Sequence, residues 1–162
     1  MTQKLTSIDI VKHFAGVTAL SSGCLTAQSG EVKALMGANG SGKSTLCKII
    51  TGVVAPDEGQ LLLNGNLVSF SSPVEALKSG IAAVYQELSL VPSLSVAQNI
   101  WLTREPMSGI FVKYREQRKH TQDLLDLFAD TIRPECTPDS LVSELPPDER
   151  QIVEILKAVS TN

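Results

Sequence analysis

The stretch that decides the fold is residues 37–45, which read GANGSGKST. It fits the pattern GxxxxGK[ST], with Gly37, Gly42, Lys43 and Ser44 at the fixed positions. Glycines permit the positive φ angles and the close approach that turn successive backbone N–H groups inward. A helix that follows such a loop presents the positive end of its dipole to an anion. The pattern therefore predicts a loop that holds nucleotide phosphates.

The residues on either side of this loop favour a strand before it and a helix after it. Residues 31–36 form an apolar run of strand length, and residues 43–50 carry Leu46, Ile49 and Ile50 at helical spacing. In such a setting Lys43 would place a positive charge between the β and γ phosphates. The hydroxyl of Ser44 would bind a magnesium ion that bridges them.

The remaining pattern predicts an α/β half followed by a helical half. Residues 5–11 and 17–27 are β-prone runs with glycines between them, which indicates an antiparallel β-ribbon at the start. A turn at residues 64–66 follows a short strand at 61–63, and a buried strand is expected at 81–85. Helical spacing predicts helices over residues 73–79, 96–102, 114–129 and 150–159. We therefore expect an α/β core with the phosphate-binding loop and the β-ribbon in residues 1–86 and a helical subdomain in residues 87–162.

Composition excludes several classes of protein. The chain has 162 residues, of which 43% are hydrophobic, enough for a core without metal or disulfide support. Its 14 basic and 17 acidic side chains give a formal charge of −3, and only 4% of residues are aromatic, so a nucleic-acid partner is not expected. No apolar run reaches the length of a membrane-spanning helix.

Four segments, in order along the chain, resemble landmarks of the ATP-binding cassette (ABC) ATPases, and more narrowly of ribose-type bacterial sugar importers. They read KHFAGVTAL at 12–20, GEVKALMGANGSGKSTL at 30–46, AAVYQELSLVPSLSVAQNIWL at 82–102 and ERQIVEILKAVS at 149–160. The resemblance covers nearly the whole chain. It implies an α/β P-loop NTPase core of the ABC cassette type, with an N-terminal antiparallel β-ribbon and a helical subdomain.

The resemblance also assigns roles to residues outside the loop. It implies that Phe14 stacks on adenine, and that Gln86 contacts magnesium and the attacking water. Lys43 and Gln86 are then the expected catalytic residues, and Ser44 and Gln86 the expected metal ligands. ATP and Mg²⁺ are the expected cofactors. The expected nucleotide-binding set is Phe14, Gly37, Ala38, Asn39, Gly40, Ser41, Gly42, Lys43, Ser44 and Thr45.

The segment that corresponds to the family's signature loop departs from the family pattern. Residues 145–149 read LPPDE, where the family has Leu-Ser followed by two small residues and an amide or acid. Pro146 offers neither a hydroxyl nor an N–H, and Asp148 puts a carboxylate where a phosphate would approach. We therefore expect Pro146 and Pro147 to start a helix well and to cap a phosphate poorly.

The family's next landmarks, an apolar strand that ends in Asp-Glu and a switch histidine, would follow Asn162. The expectation is therefore a first cassette truncated before the Walker B strand. Without the general base and the magnesium-holding aspartate, this chain alone is expected to hydrolyse ATP negligibly. The unpaired edge beside the glycine-loop strand is expected to favour pairing with another copy.

The function that the resemblance implies is ATP-driven sugar import. Expected partners are membrane permease subunits, a second ABC cassette and, indirectly, a periplasmic or extracellular sugar-binding protein. The expected place is cytoplasmic, peripheral on the inner face of the cell membrane. A soluble ABC ATPase of DNA repair or translation, a small-molecule kinase and a non-catalytic module stay open as alternatives.

Two further segments have both a functional and a plain reading. Residues 88–101, with Leu90, Val91, Leu94 and Trp101 as exposed candidates, resemble the surface on which such cassettes receive a permease helix; an ordinary packed loop and helix is the alternative. A basic cluster surrounds Tyr114, and a solvated helix face is favoured there over a phosphate-backbone site. Its members are Lys113, Arg115, Arg118, Lys119 and His120.

Overall fold

The computed structural model describes residues 3–85 and 87–160 and divides the chain into two compact units, Met1–Ile81 and Ala82–Asn162. Each unit has its own hydrophobic core. No helix among the described residues is long and apolar enough to cross a bilayer.

The first unit contains a four-stranded antiparallel sheet with the strand order β2-β1-β3-β4. The predicted β-ribbon is its largest part. Ala15 and Gly16, at φ 46° and 84°, form the two-residue turn between the first two strands, and Asn64 with Gly65 does the same between the last two. Positive φ at both turn residues matches the twist of the paired strands. The strands are β1 (Lys4–Phe14), β2 (Val17–Gln28), β3 (Glu58–Leu63) and β4 (Asn66–Val68).

Two helices complete the first unit, α1 (Lys43–Ile50) and α2 (Pro73–Lys78). Both lie where the sequence predicts them, although α2 ends one residue earlier. The three apolar residues of α1 that share a helical face are 3% to 8% exposed, so this face forms much of the core. The buried set of this core is Ile10, Leu46, Ile49, Ile50, Leu61, Phe70 and Ala76.

The two strands predicted at residues 31–36 and 81–85 are wrong. Neither segment forms a β-ladder with any described residue. Val32 is 99% exposed and Met36 88%, so the first segment is not buried either. A parallel strand obtains its backbone hydrogen bonds from neighbouring strands. In the described sheet, β1 and β3 are paired on both sides, and neither predicted segment pairs with the edge strands β2 and β4. Without a neighbouring strand, an apolar run stays unpaired.

The second unit is helical, with a small hairpin. Its helices are α3 (Val96–Trp101), α4 (Tyr114–Asp126) and α5 (Pro147–Val159), and its hairpin strands are β5 (Met107–Ser108) and β6 (Phe111–Val112). A short 3₁₀ helix at Val142–Glu144 precedes α5. The predicted helices are confirmed, with shifted ends: α4 stops before Ala129 and α5 starts at Pro147. Proline fits that first position because its missing N–H would have no helical acceptor.

The core of the second unit joins α3, α4 and α5. Leu90 and Trp101, predicted to be exposed, pack against it instead. Trp101 also donates its indole N–H to the Thr121 hydroxyl at 3.0 Å. Val159, at the end of α5, is 49% exposed and lies outside the core. The buried set is Val96, Ile100, Leu125, Cys136, Val142, Leu145, Ile152, Val153 and Leu156.

Candidate functional site

The glycine loop lies in the first unit between residue 36 and α1. Gly40 and Gly42 adopt φ 82° and 87°, the left-handed region that glycine enters without strain. The N–H of Ser41 donates to the Ala38 carbonyl at 3.2 Å, which closes a tight turn within the loop. Gly42 is the N-cap of α1, and its carbonyl accepts the first bond of the helix from Leu46 at 2.9 Å. The loop thus leads directly into the helix.

Gly42 also fits a tight space against strand β2. A Cβ at this position would lie 2.7 Å from Leu20 Cδ1 and 2.8 Å from the Ala19 carbonyl oxygen. Backbone oxygen cannot move aside as a flexible side chain can. Glycine at this place is therefore required twice, by its φ angle and by its contact with β2.

The Lys43 ammonium folds back over the loop. Its Nζ donates to the carbonyls of Gly37 at 2.8 Å and Ala38 at 2.7 Å, and lies 3.4 Å from the Ser41 hydroxyl. The lysine therefore places a positive charge at the concave side of the turn, held by the loop's own oxygens. A phosphate oxygen could attract the same ammonium with a stronger, charge-assisted bond.

Several backbone donors of the loop have no acceptor. Within residues 3–85 and 87–160, the N–H groups of Gly40, Gly42, Lys43 and Ser44 donate to no oxygen. The last three stand at the N-terminus of α1, where the helix geometry leaves donors unsatisfied and the dipole is positive. Free donors, a helix N-terminus and an ammonium group together suit an anion with several oxygens. The residues present fit a nucleotide's phosphates.

The two predicted magnesium ligands are Ser44 and Gln86. Ser44 is exposed on the first turn of α1, with its hydroxyl free of any described acceptor. Gln86 lies outside the described residues. In the described part of the chain, no group of three or more His, Cys, Asp or Glu side chains could hold a metal ion.

Phe14 ends β1 and is 45% exposed. It pairs with Val17 of β2, the same strand whose Ala19 and Leu20 lie against Gly42. The structure thus brings the aromatic ring and the end of the loop onto one strand pair. The ring is therefore partly open to solvent.

Lys12 is a residue near Phe14 that the sequence prediction missed. Its Nζ lies 5.5 Å from the Phe14 ring centroid and 2.6 Å from Asp57 Oδ1. Asp57 also accepts the His13 backbone N–H at 2.7 Å. The Lys12 ammonium first, and then the His13 N–H, lower the pKa of Asp57 below its usual value. The available signal was the spacing of two between Lys12 and Phe14, which puts both on one face of a strand.

In the second unit, two side chains of α5 form hydrogen bonds with Ser89, three residues after Gln86 in sequence. The Glu154 carboxylate accepts the Ser89 hydroxyl at 2.6 Å and the Ser89 N–H at 3.1 Å. Lys157, one turn later, donates to the same hydroxyl oxygen at 2.9 Å. Glu154 is 6% exposed, so these bonds compensate the burial of its charge. Ser89 is thereby fixed to the helix.

The segment at residues 145–149 is the N-terminus of α5. Pro146 is the N-cap, Pro147 the first helical residue, and Asp148 is exposed on the first turn. Neither proline offers an N–H to a ligand. The start of α5, which the sequence predicts to be a poor phosphate cap, therefore combines two prolines without N–H groups with the carboxylates of Asp148 and Glu149.

Glu149 is 2% exposed and pairs with Arg133 through two side-chain bonds. Arg133 Nε and Nη2 donate to Oε1 and Oε2 at 2.8 and 3.1 Å, and the Arg133 backbone N–H also donates to Oε1. The Arg133 side-chain bond lowers the pKa of Glu149, against the opposite effect of burial. The same bond raises the pKa of Arg133. This pair fixes the loop before α5 to the start of the helix.

Comparison with known proteins identifies relatives along nearly the whole chain. The family model described as "ABC transporter" matches residues 20–162. A protein of Pseudomonas syringae pv. syringae, whose assigned name is that of an ATP-binding protein for ribose/galactose/methyl galactoside import, is 47% identical over 154 residues, 94% of this chain. The ribose import ATP-binding protein RbsA 1 of Rhizobium johnstonii is 43% identical over 93% of it. The chain spans 29% of the length of either relative.

Solved structures with a similar fold are also ATP-binding cassettes. The ADP conformation of MJ1267, an ATP-binding cassette of an ABC transporter, matches with a TM-score of 0.78 and 25% identity. The match covers 99% of this chain and 65% of that one. A post-hydrolysis dimer of the cassette MJ0796 with ADP and Pi shares the fold, at a TM-score of 0.76 and 24% identity.

Proposed function

Since the chain belongs to the ABC transporter family, we propose that residues 37–45 bind the phosphates of ATP together with Mg²⁺. The observation that carries the proposal is the glycine loop, where the N–H groups of Gly42, Lys43 and Ser44 have no acceptor among the described residues and the Lys43 ammonium lies against the loop's carbonyls. Phe14 would stack on the adenine, Lys43 would contact the β and γ phosphates, and Ser44 would bind the metal. Gln86 is proposed as the second metal ligand and the residue that orients water.

We further propose that the two units divide this work. Residues 1–86 form the nucleotide-binding core and residues 87–162 the helical subdomain with the signature region. The Ser89–Glu154 bonds support this division, because they join the segment after Gln86 to α5. In the whole protein, ATP binding and hydrolysis would be coupled through this helical part to transport.

The transported substrate is proposed to be a sugar. Support comes from the relatives, whose names specify ribose or galactose import, although the chain spans only 29% of their length. The partners would then be membrane permease subunits, a second cassette and, indirectly, an extracytoplasmic sugar-binding protein. The protein would act as a peripheral subunit on the cytoplasmic face of the membrane.

In a complete transporter, we propose that the two composite ATP sites are unequal. Pro146 and Pro147 offer no N–H donor, and the exposed Asp148 adds negative charge at the start of α5. The site built on residues 37–45 would be catalytic, and the site that residues 145–149 complete would be impaired. The combined change Pro146→Ser and Asp148→Gly should raise the ATPase rate; an unchanged rate would contradict the inequality.

The first experiment is a titration of the chain with Mg-ATP, followed by calorimetry. The wild-type chain should bind, and Lys43→Ala should weaken binding by about tenfold or more, because a charge-assisted bond contributes about 1.5–3 kcal/mol. Lys48→Ala is the matched control: this lysine is exposed on the same helix, away from the loop's carbonyls. No binding by the folded wild type, or equal losses in both variants, would refute the site.

A further inference from the structure

The β5–β6 hairpin exposes apolar side chains in an unusual concentration. Ile110 is 84% exposed, Phe111 72% and Met107 49%, and Tyr114 at the start of α4 is 64% exposed. Gly109, at φ 62°, turns the chain at the tip of the hairpin. All four exposed residues lie between positions 107 and 114. Isolated exposed apolar residues are common, but four of them within one hairpin and the first residue of the next helix indicate an interaction surface.

The same segment is basic in an acidic chain. Residues 104–119 carry five basic and two acidic side chains, a net charge of +3 in a protein of −3. Lys113 and Arg118 already have ion-pair partners, Glu116 and Asp139. Arg115 and Lys119 are exposed and form no ion pair with any residue in the described parts of the chain. Four positions apart on α4, they share one face of the helix.

We propose that this surface, defined by Met107, Ile110, Phe111, Tyr114, Arg115 and Lys119, contacts the anionic surface of a phospholipid bilayer. Apolar and aromatic side chains enter the boundary between headgroups and acyl chains, while flanking Lys and Arg bind anionic headgroups. An exposed apolar tip beside unpaired cations has both parts of this pattern. The charge complementarity favours a negatively charged membrane over a neutral one.

The bilayer contact needs no nucleotide. All six residues belong to the second unit, and the glycine loop belongs to the first. The contact would align a peripheral subunit with the membrane independently of its nucleotide state. Lys43→Ala should therefore leave membrane binding unchanged, which separates failure of this inference from failure of the ATP site.

The test is co-sedimentation of the chain with vesicles at low salt. Protein-free vesicles of phosphatidylcholine alone are compared with vesicles that contain equal parts of phosphatidylcholine and phosphatidylglycerol. The chain should bind the mixed vesicles, bind the neutral ones at least about tenfold more weakly, and dissociate as salt is raised. Absence of binding to the mixed vesicles, or equal binding to both kinds, would overturn the proposal.

Variants of the cations measure the electrostatic part. Arg115→Gln with Lys119→Gln should weaken binding to anionic vesicles by about 25-fold, at about fivefold per cation. The matched control is Lys48→Gln with Lys78→Gln, which changes the net charge equally at two exposed lysines of the first unit. If the control pair loses as much as the test pair, the binding follows net charge and the surface is not its site.

Variants of the hairpin measure the apolar part. Ile110→Ser with Phe111→Ser should weaken binding at least about tenfold, and because both side chains are exposed the core of the second unit should stay intact by circular dichroism. Leu67→Ser with Val74→Ser, at 66% and 58% exposure in the first unit, should have no effect. Binding only to vesicles that contain a permease protein would assign the surface to a protein partner and overturn the bilayer contact.

Discussion

Gly42 is the single residue on which the geometry of the loop depends most. It needs a positive φ and it contacts the Ala19 carbonyl of β2. We expect Gly42→Ala to lower the free energy of unfolding of the first unit by more than about 2 kcal/mol, and to weaken ATP binding because α1 must shift. Urea unfolding followed by far-UV circular dichroism measures the first effect.

Gly40→Ala is the matched control for this change. Gly40 has nearly the same φ, but a Cβ there would meet nothing within 4 Å. Its cost should be confined to the φ angle, about 1 kcal/mol. Equal costs for both variants would show that contact with β2 does not matter.

Residues of the site differ in how far they could be predicted. The loop residues follow from local spacing, because the turn and the helix start use neighbours in sequence. The contact between Arg133 and Glu149, in contrast, depends on the fold. Sixteen positions separate Arg133 from Glu149. No periodicity in the sequence indicates such a pair.

The helices were predicted more successfully than the strands. Helix α1 has the predicted ends, since each turn forms its own backbone hydrogen bonds. The segments at 31–36 and 81–85 have the composition of buried strands yet form no ladder. A strand obtains its backbone hydrogen bonds from neighbouring strands. An apolar run therefore indicates strand propensity, but it does not show that a pairing strand is present.

The Arg133–Glu149 pair gives a prediction for α5. Glu149→Gln should lower the free energy of unfolding of the second unit by about 2 kcal/mol at neutral pH, because bonds to a charged group are lost. Asp148→Asn, the exposed neighbour on the same turn, should change it little. Fluorescence of Trp101, the only tryptophan and packed against this core, follows the transition.

The stability difference between wild type and Glu149→Gln should depend on pH. The pKa of Glu149 is lower in the folded chain than its ordinary value of 4.5. Its stabilisation is therefore complete above about 4.5 and is lost as pH falls through the lowered value. The difference between wild type and Glu149→Gln should shrink in that acid range. A difference that is the same below the lowered pKa as above 4.5 would show that the carboxylate charge is not its source.

Taken whole, the chain is an α/β protein of the P-loop NTPase class and a member of the ABC family, as its four landmark segments indicate. The family could be recognised because those segments are contiguous and ordered. The sequence predicts that the glycine-loop strand pairs with another copy; the run at 31–36 is exposed and forms no strand, and its association with another chain stays a prediction.

Self-association is the prediction at this scale. Val32 and Met36 expose nearly all of their apolar surface, which favours concentration-dependent association between copies. Val32→Lys with Met36→Lys should shift sedimentation-velocity profiles toward the monomer. Val17→Lys with Leu67→Lys, at 68% and 66% exposure, is the control. A wild-type chain that stays monomeric at high concentration would contradict the prediction.

The three cysteines have very different accessibility. Cys24 and Cys47 are exposed, whereas Cys136 is buried in the second core, and burial raises the pKa of its thiol. A maleimide dye should therefore label the first two within minutes and the third only when the surrounding helices open. Mass spectrometry of the labelled chain would then measure how fast the core of the second unit opens. Cys24 and Cys47 of the first unit would serve as an internal standard for the reactivity of the dye.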